Sequence, residues 1–389
     1  MKSLQMKYNF LHIFFFITYC AVYGYVTLFL QSKGMSNSLV GIVTGVGAIS
    51  TIVLSPMISS LLSKIKGLTM KTLLTILYGV MMSSFLIVTF IPLPNVLILM
   101  LYMLIIAFLV SSVPLLSTIC TDYLKKGHYL NFGLSRGMGS VAYASCAVVL
   151  GRLIESLGTN VLAITFVIFG SLFLGILYSL PYVEVDRQQA QKEGTIVSII
   201  KQYRMFFFLL VGFAVSFAAT SSLNVYLINI VTNLGGSTSL YGIAIFLMGT
   251  SEMPVMSITH SLLKRVSAET LFAAAAICYI LRNFLITLAP NLVILLIGML
   301  FQGVSYGLFF AVVTYYVADH LEQKDQVMGQ TMIAIMTTGV GSTIGNLLGG
   351  FLQDNLGLNS MLIFVEILTA LGTIIVLCTL LKYRKKKIH

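Results

Sequence analysis

Long apolar runs separated by short polar loops fill the sequence from end to end. About 20 apolar residues form an α-helix long enough to cross the hydrocarbon core of a bilayer, which is about 30 Å thick. Lipid offers the backbone no hydrogen bonds, so only helices and closed barrels span it, and continuous apolar runs favour helices. Twelve such runs lie at roughly residues 10–31, 38–62, 72–91, 96–121, 131–156, 160–181, 205–231, 239–262, 268–289, 292–318, 327–352 and 360–381. The sequence therefore predicts an all-α polytopic membrane protein with twelve transmembrane helices.

The composition excludes a water-soluble fold. Of the 389 residues, 58% are hydrophobic and 9% are charged, whereas soluble domains are about 25% charged. The net charge of +11 does not indicate a nucleic-acid partner, because the Lys and Arg residues lie in loops and not on a soluble domain. The five cysteines lie in apolar runs without paired spacing, which favours neither a disulfide framework nor a metal site. No cofactor is predicted.

Basic residues predict the orientation of the chain. An even number of spans places both termini on the same side, and Lys and Arg concentrate in cytoplasmic loops. The side that carries the termini has Lys2, Lys7, Lys64, Lys66, Lys71, Lys125, Lys126, Arg187, Lys192, Lys201, Arg204, Lys264, Arg265, Lys324 and the basic tail. The first apolar run lacks a cleavage site and is too long for a signal peptide, so it is predicted to be an uncleaved helix. We therefore expect a multi-pass protein of the inner (cytoplasmic) membrane with both termini cytoplasmic.

A weak internal repeat divides the chain into two halves. Residues 183–204 form the longest polar connection and are predicted to be a cytoplasmic linker between residues 1–182 and residues 205–389. Echoes recur about 200 residues apart: "PNVLILML" at Pro94 matches "PNLVILLI" at Pro290, and "GRLIESLGTN" matches "GFLQDNLGLN". Because six spans is an even number, the halves are predicted to be parallel repeats, each a six-helix bundle.

Four charged residues lie within the predicted spans, where an ionised side chain costs about 2.5–3.5 kcal/mol. They are Arg136 in the fifth span, Glu252 in the eighth, Arg282 in the ninth and Glu366 in the twelfth. Such residues normally face a cavity or one another and indicate function. Glu252 and Arg282 are predicted to pair, either at a functional site or as a fixed ion pair that only joins two helices. For Glu366 the structural interpretation is favoured.

Glu252 is the predicted proton-coupling residue. Pro254 follows within the same span, and a proline bends a helix by removing a backbone hydrogen bond. A carboxylate beside such a bend can change protonation as the Arg282 guanidinium approaches or withdraws. Asp122 and Asp319 lie at the cytoplasmic ends of the fourth and tenth spans, where they are predicted to form gate salt bridges or to be simply solvated.

Two parallel six-helix halves joined by a cytoplasmic linker resemble the major facilitator superfamily over the whole chain. The loop "SLLSKIKGLTMK" is similar to the glycine, acid and basic loop signature of that superfamily. Lys64 stands where the acid is usual, so the gate pairing of that acid is not carried over. The Gly-Pro signature of drug exporters is absent from "SRGMGSVAYASCAVVLGRL", which disfavours multidrug antiport. The resemblance implies the major facilitator fold and secondary transport by alternating access.

Within the superfamily, "FGLSRGMGSVAYASCAVVLG" resembles the fifth helix of the lactose permease-like oligosaccharide and nucleoside proton symporters. That helix carries a sugar-binding arginine and, seven residues later, an aromatic residue that stacks on the sugar. The corresponding residues in this sequence are Arg136 and Tyr143, two helical turns apart and on the same face. The resemblance implies that both bind substrate. The alternative is that Arg136 anchors the end of the helix and Tyr143 packs.

Other positions agree with this group in part. Tyr25 matches an aromatic that lines the cavity, Glu252 matches the eighth-helix acid, and Arg282 matches the ninth-helix arginine. The residues that depart from the sugar-binding or proton-releasing residues of the group are Ser117, Gln302 and Ser305. The resemblance therefore does not imply specificity for galactosides.

Neutral polar residues indicate the chemistry of the substrate. Asn224, Tyr226, Gln302 and Tyr306 lie in spans that line the cavity in this superfamily. Amides and phenols suit a neutral polyhydroxyl solute such as a sugar or a nucleoside, and they suit an organic cation poorly. Hydrogen bonds between helices are the alternative role of these four residues.

The leading hypothesis is proton-coupled uptake of a small neutral polar solute. The alternatives are efflux in exchange for protons and a non-transporting sensor with a transporter fold. No nucleophile and base cluster, metal-ligand spacing or phosphate loop indicates an enzyme. The predicted partners are a small-molecule substrate, protons and the lipid bilayer, and the chain is expected to act as a monomer.

Overall fold

Helices make up the regular structure of the described residues. The computed structural model describes residues 2–65, 68–181 and 196–386. Before the gap at 182–195 lie α1 Lys2–Tyr19, α2 Val26–Ser32, α3 Asn37–Lys64, α4 Met70–Phe90, α5 Asn95–Lys125, α6 Phe132–Leu157 and α7 Val161–Ser179, with the π-helical segment π1 Cys20–Gly24. After the gap lie α8 Ile196–Gln202, α9 Arg204–Val225, α10 Leu227–Asn233, α11 Thr238–Leu263, α12 Ala268–Thr287, α13 Leu292–Leu300, α14 Leu308–His320, α15 Gln323–Ala334, α16 Ser342–Leu356 and α17 Leu358–Lys386, with the π-helical segments π2 Gly303–Gly307 and π3 Ile335–Gly341.

The number of membrane-length helices agrees with the sequence. Among the described residues, eleven helices are long and apolar enough to cross a bilayer. A twelfth span is obtained when the bent pair Ser3–Gly24 and Val26–Ser32 is counted as one, with a 49° bend between its parts. The predicted all-α polytopic fold is therefore confirmed. The bend and the π-helical segments were not predicted, because these spans are apolar on nearly all sides and the change of phase caused by one extra residue leaves no signal in such a run.

Polar residues outside the apolar runs determine where several helices begin. The side chains of Thr69, Asn131, Ser267 and Asn291 accept hydrogen bonds from backbone amides in the first turns of α4, α6, α12 and α13. This capping satisfies amides that would otherwise lack partners. Both long helices of one echoed pair also end at a glycine: Gly158 after α6 has φ 80°, and Gly357 after α16 has φ 84°. Only glycine adopts this conformation readily, so the echoed sequences end their helices in the same way.

The described chain forms two compact units. The first contains the residues before the 182–195 gap together with Ser237–Phe246, and the second contains the remaining residues after the gap. The structure differs from the predicted division at the linker in one segment. Ser237–Phe246, which contains the start of α11, packs on α6 and belongs to the first unit. A Cβ atom at Gly151 would lie 2.7 Å from the Thr238 carbonyl oxygen, so the absence of a side chain permits this close approach. The predicted linker lies mostly outside the described residues, but its end forms α8.

Small residues pack the long helices of the second unit. A Cβ atom at Gly345 of α16 would overlap the carbonyl group of Ala218 in α9. Gly372 of α17 similarly faces the backbone of α9. A Cβ atom added at Gly372 would lie 2.6 Å from the Gly212 carbonyl oxygen. Close approach of backbones is how transmembrane helices gain van der Waals contact without a hydrophobic driving force. The arrangement positions α9 and α12, which carry part of the site described below.

Replacing Gly345 by alanine is expected to destabilise the protein. The added methyl group must displace the Ala218 backbone, and overpacking of this kind costs about 1–3 kcal/mol. Gly175→Ala is the matched control, because Gly175 is exposed on α7 and an added Cβ meets nothing within 4 Å. Thermal unfolding of the purified variants measures the difference. Equal melting temperatures for the two variants would contradict the packing described for α9 and α16.

Candidate functional site

Arg282 is a completely buried charge in the second unit. It lies on α12, and its side chain has no solvent exposure. Its Nη1 donates to Asn283 Oδ1 at 2.8 Å, and its Nη2 donates to Asn224 Oδ1 at 2.9 Å. A buried guanidinium requires such partners, because removing a charge from water is costly. The sequence predicted Arg282 and Asn224 as site residues, and the structure brings them into direct contact.

Glu252 lies close to this guanidinium. It is half-buried on α11, and its Oε1 accepts a hydrogen bond from Gln302 Nε2 at 3.0 Å. The carboxylate interacts electrostatically with Arg282 and Tyr279. The hydrogen bonds donated by Arg282 nevertheless go to amide oxygens, so the predicted pair consists of neighbouring charges linked into a wider polar cluster.

The backbone on both sides of Glu252 departs from a regular α-helix. Pro254 lies within α11, as the sequence indicated. The facing segment π2 brings Gly303 against Ser251, whose Oγ accepts from the Gly303 amide at 3.1 Å. Gly307 at the end of π2 faces Glu252 itself, and an added Cβ would lie 3.4 Å from the Glu252 Cα. π-Helical segments often occur at functional sites, and this one places backbone directly against the acid.

Three buried polar atoms in this cluster have no hydrogen-bond partner among the described residues. They are the Tyr279 hydroxyl, Arg282 Nε and Gln302 Oε1. Each of the three side chains is at least 96% buried. More than about 90% of buried polar groups in proteins are hydrogen-bonded, so several exceptions in one place require an explanation. The cluster presents two donors and one acceptor, a set that complements hydroxyl groups.

Tyr279 was not predicted from the sequence. It lies three residues before Arg282 on α12, so the two side chains share one face of the helix. Tyr279 also interacts electrostatically with Tyr306, which the sequence did predict as a site residue. The i, i+3 spacing from a buried arginine is the signal that could have identified it.

Two other predicted residues of the second unit lie elsewhere. Tyr226 is completely buried, and its hydroxyl donates to the Asn346 carbonyl oxygen at 2.8 Å. Glu366 of α17 accepts a hydrogen bond from Thr287 Oγ1 at 2.7 Å, which ties α17 to α12. Both contacts correspond to the structural alternatives stated for these residues.

In the first unit, Arg136 and Tyr143 both contact the first span. Arg136 is exposed on α6, its guanidinium lies 4.3 Å from the Phe16 ring centroid, and its Nη1 donates to Ser140 Oγ at 2.6 Å. Tyr143 lies two turns further along, with its ring centroid 6.2 Å from that of Tyr19. The predicted common face of the two side chains is therefore the face directed at the first span. A cation over an aromatic ring is a stabilising arrangement.

Tyr25 lies in the bend of the first span. Its side chain is completely buried, and its hydroxyl donates to the Ala147 carbonyl oxygen. Its ring packs edge-on against Tyr241, with centroids 5.2 Å apart. Tyr25 therefore joins the first span to α6 and the start of α11, and its role in substrate binding stays a prediction.

The predicted gate residues occupy the ends of their helices. Asp122 is half-buried in the last turn of α5, in the first unit. Asp319 is exposed in the last turn of α14, in the second unit. Both positions are those expected from the apolar pattern, and their role as gate residues stays a prediction.

His12 is a buried residue that the sequence did not single out. It lies on α1 with 1% exposure, and neither ring nitrogen has a hydrogen-bond partner among the described residues. Aromatic rings surround it, with the Tyr8 centroid at 4.8 Å and the Phe132 centroid at 5.7 Å. A single histidine in an apolar run has no sequence pattern that would distinguish it from a packed residue.

Comparison with known proteins places this geometry in a family. The maltose permease of Geobacillus stearothermophilus is 23% identical over 247 residues, which are 64% of this chain and 62% of that relative. A mutant of the nucleoside transporter NupG matches with a TM-score of 0.82 at 15% identity, covering 97% of this chain and 98% of the other. A mutant of the peptide transporter POT matches with a TM-score of 0.76 at 13% identity, covering 99% and 94%. The structural likenesses show the predicted fold. Residues 5–364 match the MFS_1 like family, and the chain therefore belongs to this family of major facilitator superfamily transporters.

Proposed function

We propose that this transporter takes up a small neutral polar solute, a sugar, an oligosaccharide or a nucleoside, together with protons. The main support for this proposal is a group of three buried polar atoms near Glu252 that have no hydrogen-bond partner among the described residues. They belong to Tyr279, Arg282 and Gln302. Sugar and ribose hydroxyls both donate and accept, so the hydroxyls of one solute can donate to Gln302 Oε1 and accept from the two donors. An apolar drug would leave these atoms unsatisfied, at a cost of about 1–3 kcal/mol for each.

The names of the relatives support this substrate class. A maltose permease and a nucleoside transporter both carry polyhydroxyl solutes by name. In the first unit, Arg136 and Tyr143 are the proposed substrate contacts, because a guanidinium fork donates to paired hydroxyls and an aromatic face covers the apolar side of a sugar ring. The exposed guanidinium of Arg136 is accessible for this role.

Glu252 is the proposed proton site. Its carboxylate accepts from Gln302 and lies near the fixed charge of Arg282. Protonation of Glu252 removes one charge of this pair, so proton binding and the polar contacts of Arg282 are coupled through electrostatics. The proposed setting is the inner membrane, with both termini cytoplasmic according to the distribution of basic residues, and a monomer as the transporting unit.

The test is uptake by purified protein in liposomes. Labelled sugars, oligosaccharides and nucleosides are supplied with a pH gradient of either direction. We expect one of these classes to accumulate when the substrate side is the acidic side. Accumulation of an organic cation in exchange for protons, with no uptake of any polyhydroxyl solute, would contradict the proposal.

Tyr279→Phe is expected to weaken the apparent affinity for substrate about 2- to 12-fold, which corresponds to one lost hydrogen bond of about 0.5–1.5 kcal/mol. The hydroxyl has no hydrogen-bond partner among the residues that the structure describes, so its removal should leave the melting temperature unchanged or slightly raised. Substrate titration of counterflow measures the affinity, and thermal unfolding measures the stability.

Tyr226→Phe is the matched control in the same unit. Its hydroxyl donates to a backbone carbonyl, so its loss should lower the melting temperature and leave the affinity unchanged. The reverse pattern, with affinity lost in Tyr226→Phe and retained in Tyr279→Phe, would move the substrate site away from the cluster around Glu252.

A further inference from the structure

A basic pocket opens at one end of the second unit, away from the site around Glu252. It lies where α9 begins and where α14 and α17 end, and its volume is about 570 Å³. Three basic side chains line it: Lys201 at the end of α8, Arg204 at the start of α9 and Lys382 near the end of α17. Lys382 is far from Lys201 and Arg204 in the sequence, so it is the fold that brings it to the same pocket.

The pocket has no carboxylate among its lining residues, which are Lys201, Gln202, Tyr203, Arg204, Met205, Phe206, Phe208, Tyr316, His320, Lys382 and Tyr383. In the part of the chain that the structure describes, no acid forms an ion pair with its three cations. Three acids border the pocket through its lining residues. Glu322 pairs with Lys324 at 2.7 Å and accepts from Gln202 Nε2 at 2.9 Å. Asp325 accepts from the Tyr203 hydroxyl at 3.2 Å, and Glu269 interacts electrostatically with Tyr316. An anionic ligand in the pocket would therefore interact favourably with several cations at once.

Aromatic rings give the pocket a rigid wall. The rings of Tyr316 and His320 stack with centroids 4.1 Å apart, and Phe206 lies parallel to Tyr316 at 6.2 Å. His320 Nδ1 lies 3.3 Å from the Tyr316 carbonyl oxygen, which helps to orient the imidazole. The ring faces of this wall are apolar, and the tyrosine hydroxyl and the imidazole nitrogens are polar. Such a wall suits a ligand in which a charged group is attached to a carbon skeleton.

Phosphate is the anion that this set of side chains recognises best. Arginine presents a planar fork of donors, and lysines add point charges, a combination typical of phosphate sites. The volume exceeds what an isolated inorganic ion needs and falls within the range of pockets for small organic ligands. By the distribution of basic residues this end is cytoplasmic, where anionic lipids attract basic clusters next to transmembrane helices.

We propose that the pocket binds a phosphate ester, whose phosphate contacts Lys201, Arg204 and Lys382. The ester is either the headgroup of an anionic phospholipid or a soluble phosphorylated metabolite, since both present the same phosphate. Binding links the start of α9 to the end of α17, two helices that pack along their lengths. The site is separate from the proposed substrate site, so its test does not depend on the identity of the transported solute.

The experiment is thermal unfolding of the full-length protein in neutral detergent. One arm adds phosphatidylglycerol or cardiolipin as mixed micelles, with phosphatidylcholine as the zwitterionic comparison. A second arm adds glycerol 3-phosphate, with chloride at matched ionic strength. A ligand that binds only the folded state raises the melting temperature, and the stabilisation grows with the logarithm of one plus the ratio of ligand concentration to dissociation constant. The arm that gives the shift identifies the source of the phosphate.

The decisive comparison is between two triple variants. Lys201→Gln, Arg204→Gln and Lys382→Gln together remove the cations of the pocket. The control triple, Lys126→Gln, Lys264→Gln and Arg265→Gln, removes the same charge from exposed residues outside the pocket. We expect the apparent dissociation constant of the active phosphate ester to rise at least about tenfold in the pocket triple, equivalent to about 1.4 kcal/mol, and to be unchanged in the control triple.

Two results would overturn this proposal. Equal weakening in both triples would mean that binding follows total charge and needs no pocket. No shift of the wild-type protein by any phosphate ester in either arm would mean that the pocket has no such ligand. If the pocket triple does not fold, Lys382→Gln alone is compared with Lys264→Gln in the same titration.

Discussion

Replacing Arg282 by methionine is expected to abolish transport and to lower the stability of the protein by about 1–3 kcal/mol for each buried acceptor that loses its donor. The change leaves the oxygens of Asn224 and Asn283 without their donor, and it leaves Glu252 without a neighbouring positive charge. Counterflow of the identified substrate and thermal unfolding measure the two effects. Arg265→Met is the control, because Arg265 is exposed just after α11.

A double variant separates charge balance from substrate binding. Glu252→Gln combined with Arg282→Met removes both charges, so it should recover part of the stability lost in Arg282→Met alone. Transport should stay absent, because the Arg282 donors are still missing. Full stability of the single variant Arg282→Met would show that the guanidinium is not buried as described. Recovery of transport in the double variant would make Arg282 only a counter-ion of Glu252.

The number and length of the spans could be predicted because lipid thickness sets the length of each apolar run. The membrane also explains why Glu252, Arg282 and Gln302 could be expected to lie near one another. Polar groups in lipid must face the protein interior, and few other such groups are available in their spans. The family resemblance named the same positions, and the structure brings them together in the second unit.

The partners of these residues could not be predicted. Arg282 bonds to Asn224 and Asn283, and this choice depends on the register between α9 and α12, which apolar periodicity does not fix. Tyr226 was expected either to contact substrate or to form a hydrogen bond between helices, and in the structure its hydroxyl donates to a backbone carbonyl of α16. The sequence alone does not show whether the hydroxyl of a tyrosine in a span bonds to a backbone carbonyl or to a substrate hydroxyl.

The packing of the start of α11 could not be predicted from the sequence either. Residues Ser237–Phe246 follow the second-half pattern in sequence but pack with the first unit, because Gly151 and Gly242 allow close backbone contact there. The bend at Tyr25 likewise depends on the surrounding helices. Its hydroxyl bonds to Ala147, a contact between two spans that neither span encodes alone.

Glu252→Gln is expected to eliminate accumulation driven by a pH gradient and to leave counterflow of the same solute. Glutamine keeps the shape of the side chain and can still accept from Gln302 Nε2, so the neighbouring polar contacts persist. It cannot bind or release a proton, so the solute should only equilibrate across the membrane. For the wild type, one pH unit supplies about 1.4 kcal/mol per proton, enough for about tenfold accumulation.

Glu366→Gln is the matched control for this prediction. Glu366 is the other predicted intramembrane acid of the second unit, and its described hydrogen bond comes from the Thr287 hydroxyl. A neutral amide oxygen can accept that bond equally well, so accumulation should continue at nearly the wild-type level. If Glu366→Gln lost accumulation and Glu252→Gln retained it, the proton site would lie on α17 beside Thr287. If neither variant lost it while both transported the solute, the coupling ion would not act through these carboxylates, and the orphaned donors around Arg282 would serve substrate binding alone.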